Sequence, residues 1–291
     1  MIKSHFYSFL LFLPGFVELR FFVIYFFRNF ASKNDYMTNT DTHRRAIIMG
    51  ATSGIGMEVA RELACRGWTL GIAGRRVERL KELREELPQV VAVKQIDVTD
   101  DGAAQRLGEL IEETGGMDLY FHSSGIGWQN MGLDAEKEIL TAETNVVGFT
   151  RMVTAAFNYF AGRGNQTGHE GRIGHIAVIS SIAGTKGLGA AAAYSSTKRY
   201  QNHYVECLEQ LARMRKLKIC FTDVRPGFVA TDLIKDGRYP MKLRTDDVAR
   251  MIVRAIEKRK AVATIDWRYR LLVFLWRMVP RCVWIRLHIA S

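Results

Sequence analysis

The sequence predicts an α/β protein built on a doubly wound, mostly parallel sheet of about seven strands flanked by helices. Short apolar runs alternate with longer segments whose apolar residues recur at helical spacing, as in GAAQRLGELIEETG at 102–115. This alternation favours parallel strands, because a parallel pair needs a long crossover connection. Strands are expected at 46–49, 69–73, 90–96, 118–121 and 218–224, and another is expected to end at Ser180–Ser181.

Length, charge and cysteine content narrow the class of protein. The 291 residues suit one domain with additions at its ends, and the net charge of +11 raises nucleic acid or an anionic membrane as a partner. The predicted domain lacks a basic platform with interleaved aromatic residues, so we expect no nucleic acid. The four cysteines are widely spaced without a C-x-x-C, which favours a cytoplasmic location and no metal site. The pair His169–Glu170 is interpreted as part of a solvated loop.

The first 43 residues differ from the rest. Phe, Leu, Val and Ile are dense in 6–30, but Pro14–Gly15, Glu18 and Arg20 interrupt this run. It therefore contains no unbroken span of the ~20 apolar residues that a transmembrane helix needs. A weak signal-anchor, an interfacial segment and translated sequence before a start at Met37 remain open, and we favour the last. We therefore predict an apolar extension over 1–43, a domain over 44–265 and a basic amphipathic segment over 266–291.

A glycine-rich turn follows the first expected strand and leads into an amphipathic helix. Glycines let backbone N–H groups approach a pyrophosphate, and the helix N-terminus favours its negative charge. The spacing is G-x-x-x-G-x-G. The residues predicted to contact a dinucleotide here are Gly50, Thr52, Ser53, Gly54, Ile55 and Gly56.

The second strand ends at Gly74-Arg75-Arg76, where a fold that prefers NAD would place an acid for the ribose hydroxyls. Two guanidinium groups suit a 2′-phosphate instead, so the sequence favours NADP(H) over NAD(H). The alternative is that Arg76 only begins a solvated helix. After the third strand, Asp97 and Val98 are placed to meet an adenine edge.

A third motif carries the chemistry. Tyr194 and Lys198 are four residues apart on an expected helix and so share one face, and Ser181 lies thirteen residues before the tyrosine. A nearby cation favours a phenolate, so we expect Lys198 to lower the pKa of Tyr194.

Taken in order, these motifs resemble the short-chain dehydrogenase/reductase family over roughly 44–265. Asn145, Ser181, Tyr194 and Lys198 fall on the positions of the family's catalytic asparagine, serine, tyrosine and lysine. The glycine turn matches the cofactor motif, with Met49 where threonine is usual. Arg225-Pro226-Gly227 with Thr231 matches the segment that holds the nicotinamide carboxamide. One departure is His122-Ser123-Ser124-Gly125, where the family has Asn-Asn-Ala-Gly; we interpret His122 as satisfying backbone groups in the sheet.

The resemblance implies a Rossmann fold and the NADP(H)-dependent interconversion of a ketone and a secondary alcohol. Tyr194 would donate a proton to the substrate oxygen that Ser181 binds, and Lys198 would bind the nicotinamide ribose. Asn145 would hold a water that links Lys198 to solvent. Further implied cofactor contacts are Ser124, Gly125, Tyr194, Lys198, Pro226, Gly227, Val229 and Thr231.

Two other functions are weighed against the reductase. One is a catalytically silent, NADP-sensing protein on the same fold, which the complete set of four residues disfavours. The other is a sugar-nucleotide epimerase, which would want a different glycine spacing and a larger C-terminal domain. We expect a homodimer or homotetramer that acts on a small-molecule carbonyl or alcohol.

The remaining segments bear on the substrate. The stretch 228–243 is expected to form a short lid containing Thr231, Asp232, Leu233, Tyr239 and Met241. In the last 25 residues, Arg270, Arg277, Arg281 and His288 fall on one helical stripe, and Pro280 divides two short helices. A basic stripe beside an apolar, Trp-containing face suits peripheral contact with the inner face of an anionic membrane and a lipid-like ketone of 3-oxoacyl, ketosphinganine or steroid type. Packing over the substrate pocket or at a subunit interface is the equal alternative.

Overall fold

The computed structural model describes residues 44–163, 174–231 and 241–287. Seven strands form one sheet in the order β3-β2-β1-β4-β5-β6-β7, and every neighbouring pair is parallel. The prediction of a doubly wound parallel sheet is confirmed. The strands are β1 (Arg45–Met49), β2 (Thr69–Gly74), β3 (Val90–Gln95), β4 (Leu119–His122), β5 (Gly174–Ile179), β6 (Ile219–Arg225) and β7 (Val262–Thr264).

Helices cover both faces of the sheet. A π-helical turn (Glu143–Gly148) precedes the fifth helix, and two 3₁₀ turns (Ile182–Thr185 and Gly189–Ala191) lie between β5 and the sixth helix. The α-helices are α1 (Gly54–Cys65), α2 (Val77–Glu86), α3 (Ala103–Glu113), α4 (Ala135–Ala142), α5 (Phe149–Arg163), α6 (Ala192–Met214), α7 (Thr245–Glu257), α8 (Trp267–Met278) and α9 (Arg281–Trp284).

The core is two apolar layers, one on each side of the sheet. Side chains alternate along a strand, so Ala46 and Ile48 of β1 join the layer under α1 and α7, whereas Ile47 and Met49 join the layer under α3, α5 and α6. All four are fully buried. Burial on both faces explains why the strands read as continuous apolar runs in the sequence.

The strand order reverses between β1 and β4, which adjoin each other although β2 and β3 lie between them in the chain. In open α/β sheets, such a switch leaves a crevice beyond the carboxyl ends of the strands. The glycine turn after β1 and the segment 123–125 after β4 both lie there.

The C-terminal segment packs onto the first layer. Tyr269 and Val273 of α8 are buried within it, and Pro280 separates α8 from α9, as the sequence predicts. In the part of the chain that the structure describes, no helix has the length and apolarity to cross a membrane. The predictions for residues 1–43, for His169–Glu170 and His288, and for Asp232, Leu233 and Tyr239 of the lid fall outside the described residues.

Candidate active site

The glycine turn is shaped by steric constraints. Gly50 has a φ of +89°, and a β-carbon there would lie 2.7 Å from the backbone nitrogen of Ser124. A β-carbon on Gly56 would lie 2.1 Å from the carbonyl oxygen of Gly50, so this glycine lets α1 begin directly against the turn. Gly54, with a φ of +55°, faces the side chain of Thr231 across the opening.

The predicted cofactor residues come together along one cleft at the carboxyl edge of the sheet. Every predicted contact lines it except Gly56, which packs against the Gly50 carbonyl instead. Sequence reasoning missed several lining residues near the ends of strands β2 to β5; each lies one or two positions along the chain from a predicted site residue, so extending the predicted segments by two residues would have found them. These are Gly74, Ile96, Ser123, Ile126, Ile179 and Ser180. Thr144, just before Asn145, also lines the cleft.

Both arginines after β2 lie at one end of this cleft. The Arg76 guanidinium donates to Thr52 Oγ1 at 2.9 Å and to Ser53 Oγ at 2.5 Å, which fixes its charge beside the glycine turn. Arg76 occupies the N-cap position of α2, but its side chain turns back toward the turn. Arg75 lies 4.0 Å from the Asp97 carboxylate, and its side chain is 62% exposed. The cleft thus ends in two cations that a bound anion can reach.

Ser181, Tyr194 and Lys198 also line the cleft. The Lys198 Nζ lies 5.7 Å from the centroid of the Tyr194 ring and donates to the Ile179 carbonyl at 3.0 Å. Ser181 follows β5, where its Oγ accepts from the Ala183 backbone N–H at 3.1 Å and starts a 3₁₀ turn. The side chains of Ser181 and Tyr194 also interact by a hydrogen bond.

Burial dominates the protonation of this group. The pKa of Tyr194 is raised above its usual value because burial disfavours the phenolate, and the hydrogen bond with Ser181 only partly opposes that effect. The sequence-based expectation was that Lys198 together with a cationic nicotinamide ring lowers this pKa; for the protein groups alone, burial outweighs any such lowering. Burial also lowers the pKa of Lys198 to about 8, against the opposing effect of the Asp223 carboxylate.

Asn145 lies in the π-helical turn and ties two parts of the site together. Its side chain accepts from the Ile126 N–H at 2.9 Å and donates to the Ile126 carbonyl at 2.7 Å and to Thr197 Oγ1 at 3.1 Å. These bonds fix the chain after β4 against α6. The Asn145 backbone carbonyl accepts from Gln201 Nε2 at 2.9 Å, a contact that sequence reasoning missed.

His122 is fully buried in the sheet, as expected of a residue outside the chemistry. Its Nδ1 is paired with the Tyr120 hydroxyl at 2.9 Å, and the Ser124 backbone also interacts with the ring. Burial lowers the pKa of His122 to about 3, so the ring is neutral near pH 7. It packs edge-on against Phe149 at a centroid distance of 5.2 Å.

The C-terminal helices contact two loops beside the cleft. Tyr269 is fully buried, accepts from the Phe228 N–H at 3.0 Å and donates to the Met241 carbonyl at 3.1 Å. Trp284 Nε1 donates to the Gly187 carbonyl, and Lys186 Nζ donates to the Val279 carbonyl, both at 2.8 Å. The C-terminal segment therefore supports the loop between Ser181 and Tyr194 and the loop after β6.

Comparison with known proteins agrees with this geometry. The model of the short-chain dehydrogenase family matches residues 44–240. An uncharacterized oxidoreductase of Myxococcus xanthus is 29% identical over 82% of this chain and 94% of that protein. A crystal structure of 3-ketoacyl-(acyl-carrier-protein) reductase from Brucella melitensis, complexed with NADH, aligns with a TM-score of 0.67 at 22% identity over 77% of this chain and 96% of that one. A short-chain dehydrogenase from Burkholderia cenocepacia, in complex with NADP, aligns with a TM-score of 0.71 at 18% identity over 85% of this chain and 98% of that one.

Proposed function

Because this chain belongs to the short-chain dehydrogenase family and is an NAD(P)-dependent oxidoreductase, we propose that it is an NADP(H)-dependent reductase that interconverts a ketone and a secondary alcohol. The observation that carries the proposal is the convergence of Ser181, Tyr194 and Lys198 on one cleft with the glycine turn and two arginines. A nicotinamide cofactor in this cleft would supply the hydride, and the protein would supply the proton and the alignment.

The protein groups divide the work as follows. Tyr194 lines the cleft and, like any phenol whose pKa is not lowered, carries its proton at neutral pH, so it can serve as the acid that protonates the carbonyl oxygen of the ketone. Ser181 holds the same oxygen and stabilises the charge that develops on it. Lys198 lines the cleft and is held there by the Ile179 carbonyl and by Gln201, and its third N–H would be the donor to the ribose of a bound cofactor. A silent NADP-sensing protein is disfavoured, since it would have no use for this set of groups.

The preference for NADP(H) is supported by the arginines. A 2′-phosphate needs fixed donors, and Arg76 is already held by the hydroxyls of Thr52 and Ser53. Arg75 adds a second charge near Asp97. The close approach at Gly50 and the N-terminus of α1 suit the pyrophosphate of either nicotinamide cofactor.

The outer face of α8 supports the proposal of a membrane surface as partner. Five apolar side chains on this helix expose half of their surface or more. Together they form one apolar patch, whereas single exposed apolar residues scattered over a surface need no explanation. They are Trp267, Leu271, Phe274, Leu275 and Met278. Arg270 and Arg277 lie exposed along one flank of this face, so its charge is complementary to anionic lipid headgroups.

The same helices connect this face to the cleft, which supports an apolar substrate. Trp284 holds the loop at Gly187, between Ser181 and Tyr194 in the chain, and Tyr269 holds Phe228 after β6. A lipid surface on α8 would therefore lie next to the loops that border the catalytic residues. We propose a lipid-like ketone of the 3-oxoacyl, ketosphinganine or steroid type. The homodimer or homotetramer and the position at the inner face of a membrane stay predictions.

A panel of ketones tests the reaction. Purified full-length protein should oxidise NADPH in the presence of 3-oxoacyl, ketosphinganine or steroid ketones, with catalytic efficiency rising with the apolar surface of the substrate. Turnover of short polar ketones only would contradict the substrate class, and no turnover with any ketone would contradict the reaction.

Vesicle co-sedimentation tests the membrane surface. Full-length protein should sediment with phosphatidylserine-containing vesicles, and the double variant Leu271→Ser/Phe274→Ser should sediment less. Met214→Ser is the matched control, because Met214 is 74% exposed on α6. Binding should weaken with salt, since exposed arginine–headgroup attraction is screened. Equal sedimentation of the double variant and the wild type would remove α8 as the contact, and a variant that instead changes oligomeric state would assign the face to a second copy.

A further inference from the structure

Gln201 joins two of the catalytic residues directly. It is fully buried on α6, three residues after Lys198, and therefore shares a face with it. Its Oε1 accepts from Lys198 Nζ at 2.9 Å, and its Nε2 donates to the Asn145 carbonyl at 2.9 Å. The orientation of the amide follows from its partners, because an ammonium can only donate and a carbonyl can only accept.

The two ends of this bridge are themselves fixed. Lys198 Nζ also donates to the Ile179 carbonyl at the end of β5, and the Asn145 side chain is bonded to Ile126 and Thr197. Gln201 completes a buried chain of hydrogen bonds from β5, through the ammonium, to the π-helical turn. The family resemblance predicts that Asn145 holds a water that links Lys198 to solvent; the Gln201 side chain joins the Asn145 carbonyl and the Lys198 ammonium directly.

The other charged and titratable groups around Lys198 lie on three elements. Asp223 of β6 is buried and paired with Arg225 at 2.6 Å. His122 of β4 is neutral near pH 7, and Tyr194 lies on α6 itself. Asp223 is the carboxylate whose charge favours the ammonium, and Gln201 adds a neutral acceptor in direct contact with it.

We propose that Gln201 is a positioning residue, which holds the Lys198 ammonium in its charged form and in its place by bridging it to the Asn145 carbonyl. The proposal rests on the proposed function, in which charged Lys198 supports ketone reduction. A hydrogen bond to the charged form of a group favours that form, and an opposite charge favours it more. Two substitutions at this one position therefore shift the titration of Lys198 in opposite directions.

The test is the pH profile of kcat/KM for ketone reduction with NADPH. Gln201→Leu removes the acceptor, so the loss of activity at high pH should move down by about one pH unit. Gln201→Glu keeps the shape and adds a negative charge, so the same loss should move up by about one unit. Gln210→Leu, an exposed position on α6, is the matched control and should follow the wild-type profile.

The possible results distinguish a failure of the Gln201 assignment from a failure of the proposed function. If the wild type binds NADPH and reduces a ketone but all profiles coincide, or both Gln201 variants shift in the same direction, Gln201 does not position Lys198. If the wild type itself reduces no ketone, the proposed function fails and this inference fails with it. Should Gln201→Leu not fold, the upward shift of Gln201→Glu alone supports the assignment, and its absence overturns it.

Discussion

At the scale of the residue, burial decides what the side chains of the cleft can do. Tyr194 and Lys198 are both shifted toward their neutral forms, the phenol because its pKa rises and the ammonium because its pKa falls to about 8. Neighbouring groups oppose both shifts. Ser181 partly lowers the pKa of Tyr194, whose proton goes to the substrate oxygen, whereas Asp223 and Gln201 favour the charged form of Lys198.

Arg75 lines the cleft and is expected to bind the 2′-phosphate of NADPH. Arg75→Asp should weaken NADPH binding by about 2 kcal/mol, roughly 30-fold, because a charge-assisted phosphate contact is lost and a repulsive charge replaces it. NADH binding should change little, since NADH has no 2′-phosphate. Titration of protein fluorescence with each cofactor measures both, and Arg84→Asp, an exposed arginine on α2, is the control. Equal catalytic efficiency of the wild type with NADH and NADPH would refute the preference.

Local sequence predicted these residues well and their partners poorly. The glycine spacing and the pair Tyr194/Lys198 depend on neighbours within one turn, so they are readable from the chain. The contact between Gln201 and Asn145 joins residues 56 positions apart, and only the fold brings them together. The rise that burial causes in the pKa of Tyr194 was not predicted, because charge can be read from sequence, whereas burial cannot.

At the scale of the element, α8 supports the loop after β6. The ring of Tyr269 lies so close beneath Gly227 that a β-carbon there would come within 2.2 Å of it, and its hydroxyl bonds Phe228 and Met241. From the sequence, packing and membrane contact were equal alternatives for this segment. The inner face of α8 packs on the core, and the outer face remains the subject of the membrane proposal.

Tyr269→Phe tests this support. Loss of the hydroxyl leaves the Phe228 N–H and the Met241 carbonyl without this partner, so the free energy of unfolding should fall by about 1–3 kcal/mol. NADPH binding should weaken as well, because Pro226 and Gly227 line the cleft. Tyr159→Phe is the matched control, since the Tyr159 hydroxyl accepts from the Met117 N–H away from the cleft. An unfolding midpoint lowered in both variants, with NADPH binding unaffected in both, would show that Tyr269 acts on stability alone.

At the scale of the whole molecule, two buried histidines make stability depend on pH. Burial lowers the pKa of His122 to about 3 and, with Arg259 adding to the effect, that of His175 to about 4. An unfolded histidine binds its proton near pH 6.5, so the unfolded state takes up protons first as the pH falls. The stability that these residues contribute is complete above about pH 6.5 and is lost progressively toward pH 4.

Urea unfolding at pH 7 and pH 5 measures this effect. Each histidine should lower the free energy of unfolding by about 2 kcal/mol at pH 5, so the midpoint should fall clearly. His122→Leu should show about half of that decrease, and His203→Leu, at an exposed position, should show all of it. Identical midpoints at the two pH values would mean that the histidines are charged or exposed in the folded protein.

The sheet could be predicted from the sequence because the same strand–helix unit repeats along the chain. Apolar runs and helical periodicity predicted a mostly parallel sheet of about seven strands, and the six strands placed in the sequence lie within a few residues of those observed; the third, for example, ends at Gln95 rather than Ile96. The short seventh strand, Val262–Thr264, was not located from the sequence. The pairing of His122 with Tyr120 was missed although the two residues are only two positions apart on β4 and therefore share one face of the strand.

The most direct test of the account is the substitution Tyr194→Phe, measured for both turnover and NADPH binding. The phenol is assigned the proton and no essential part of cofactor binding. The variant should therefore bind NADPH with nearly the wild-type dissociation constant while its kcat for ketone reduction falls below a few per cent of wild type. A variant that keeps more than this activity, with NADPH bound, would contradict the assignment of Tyr194 as the acid.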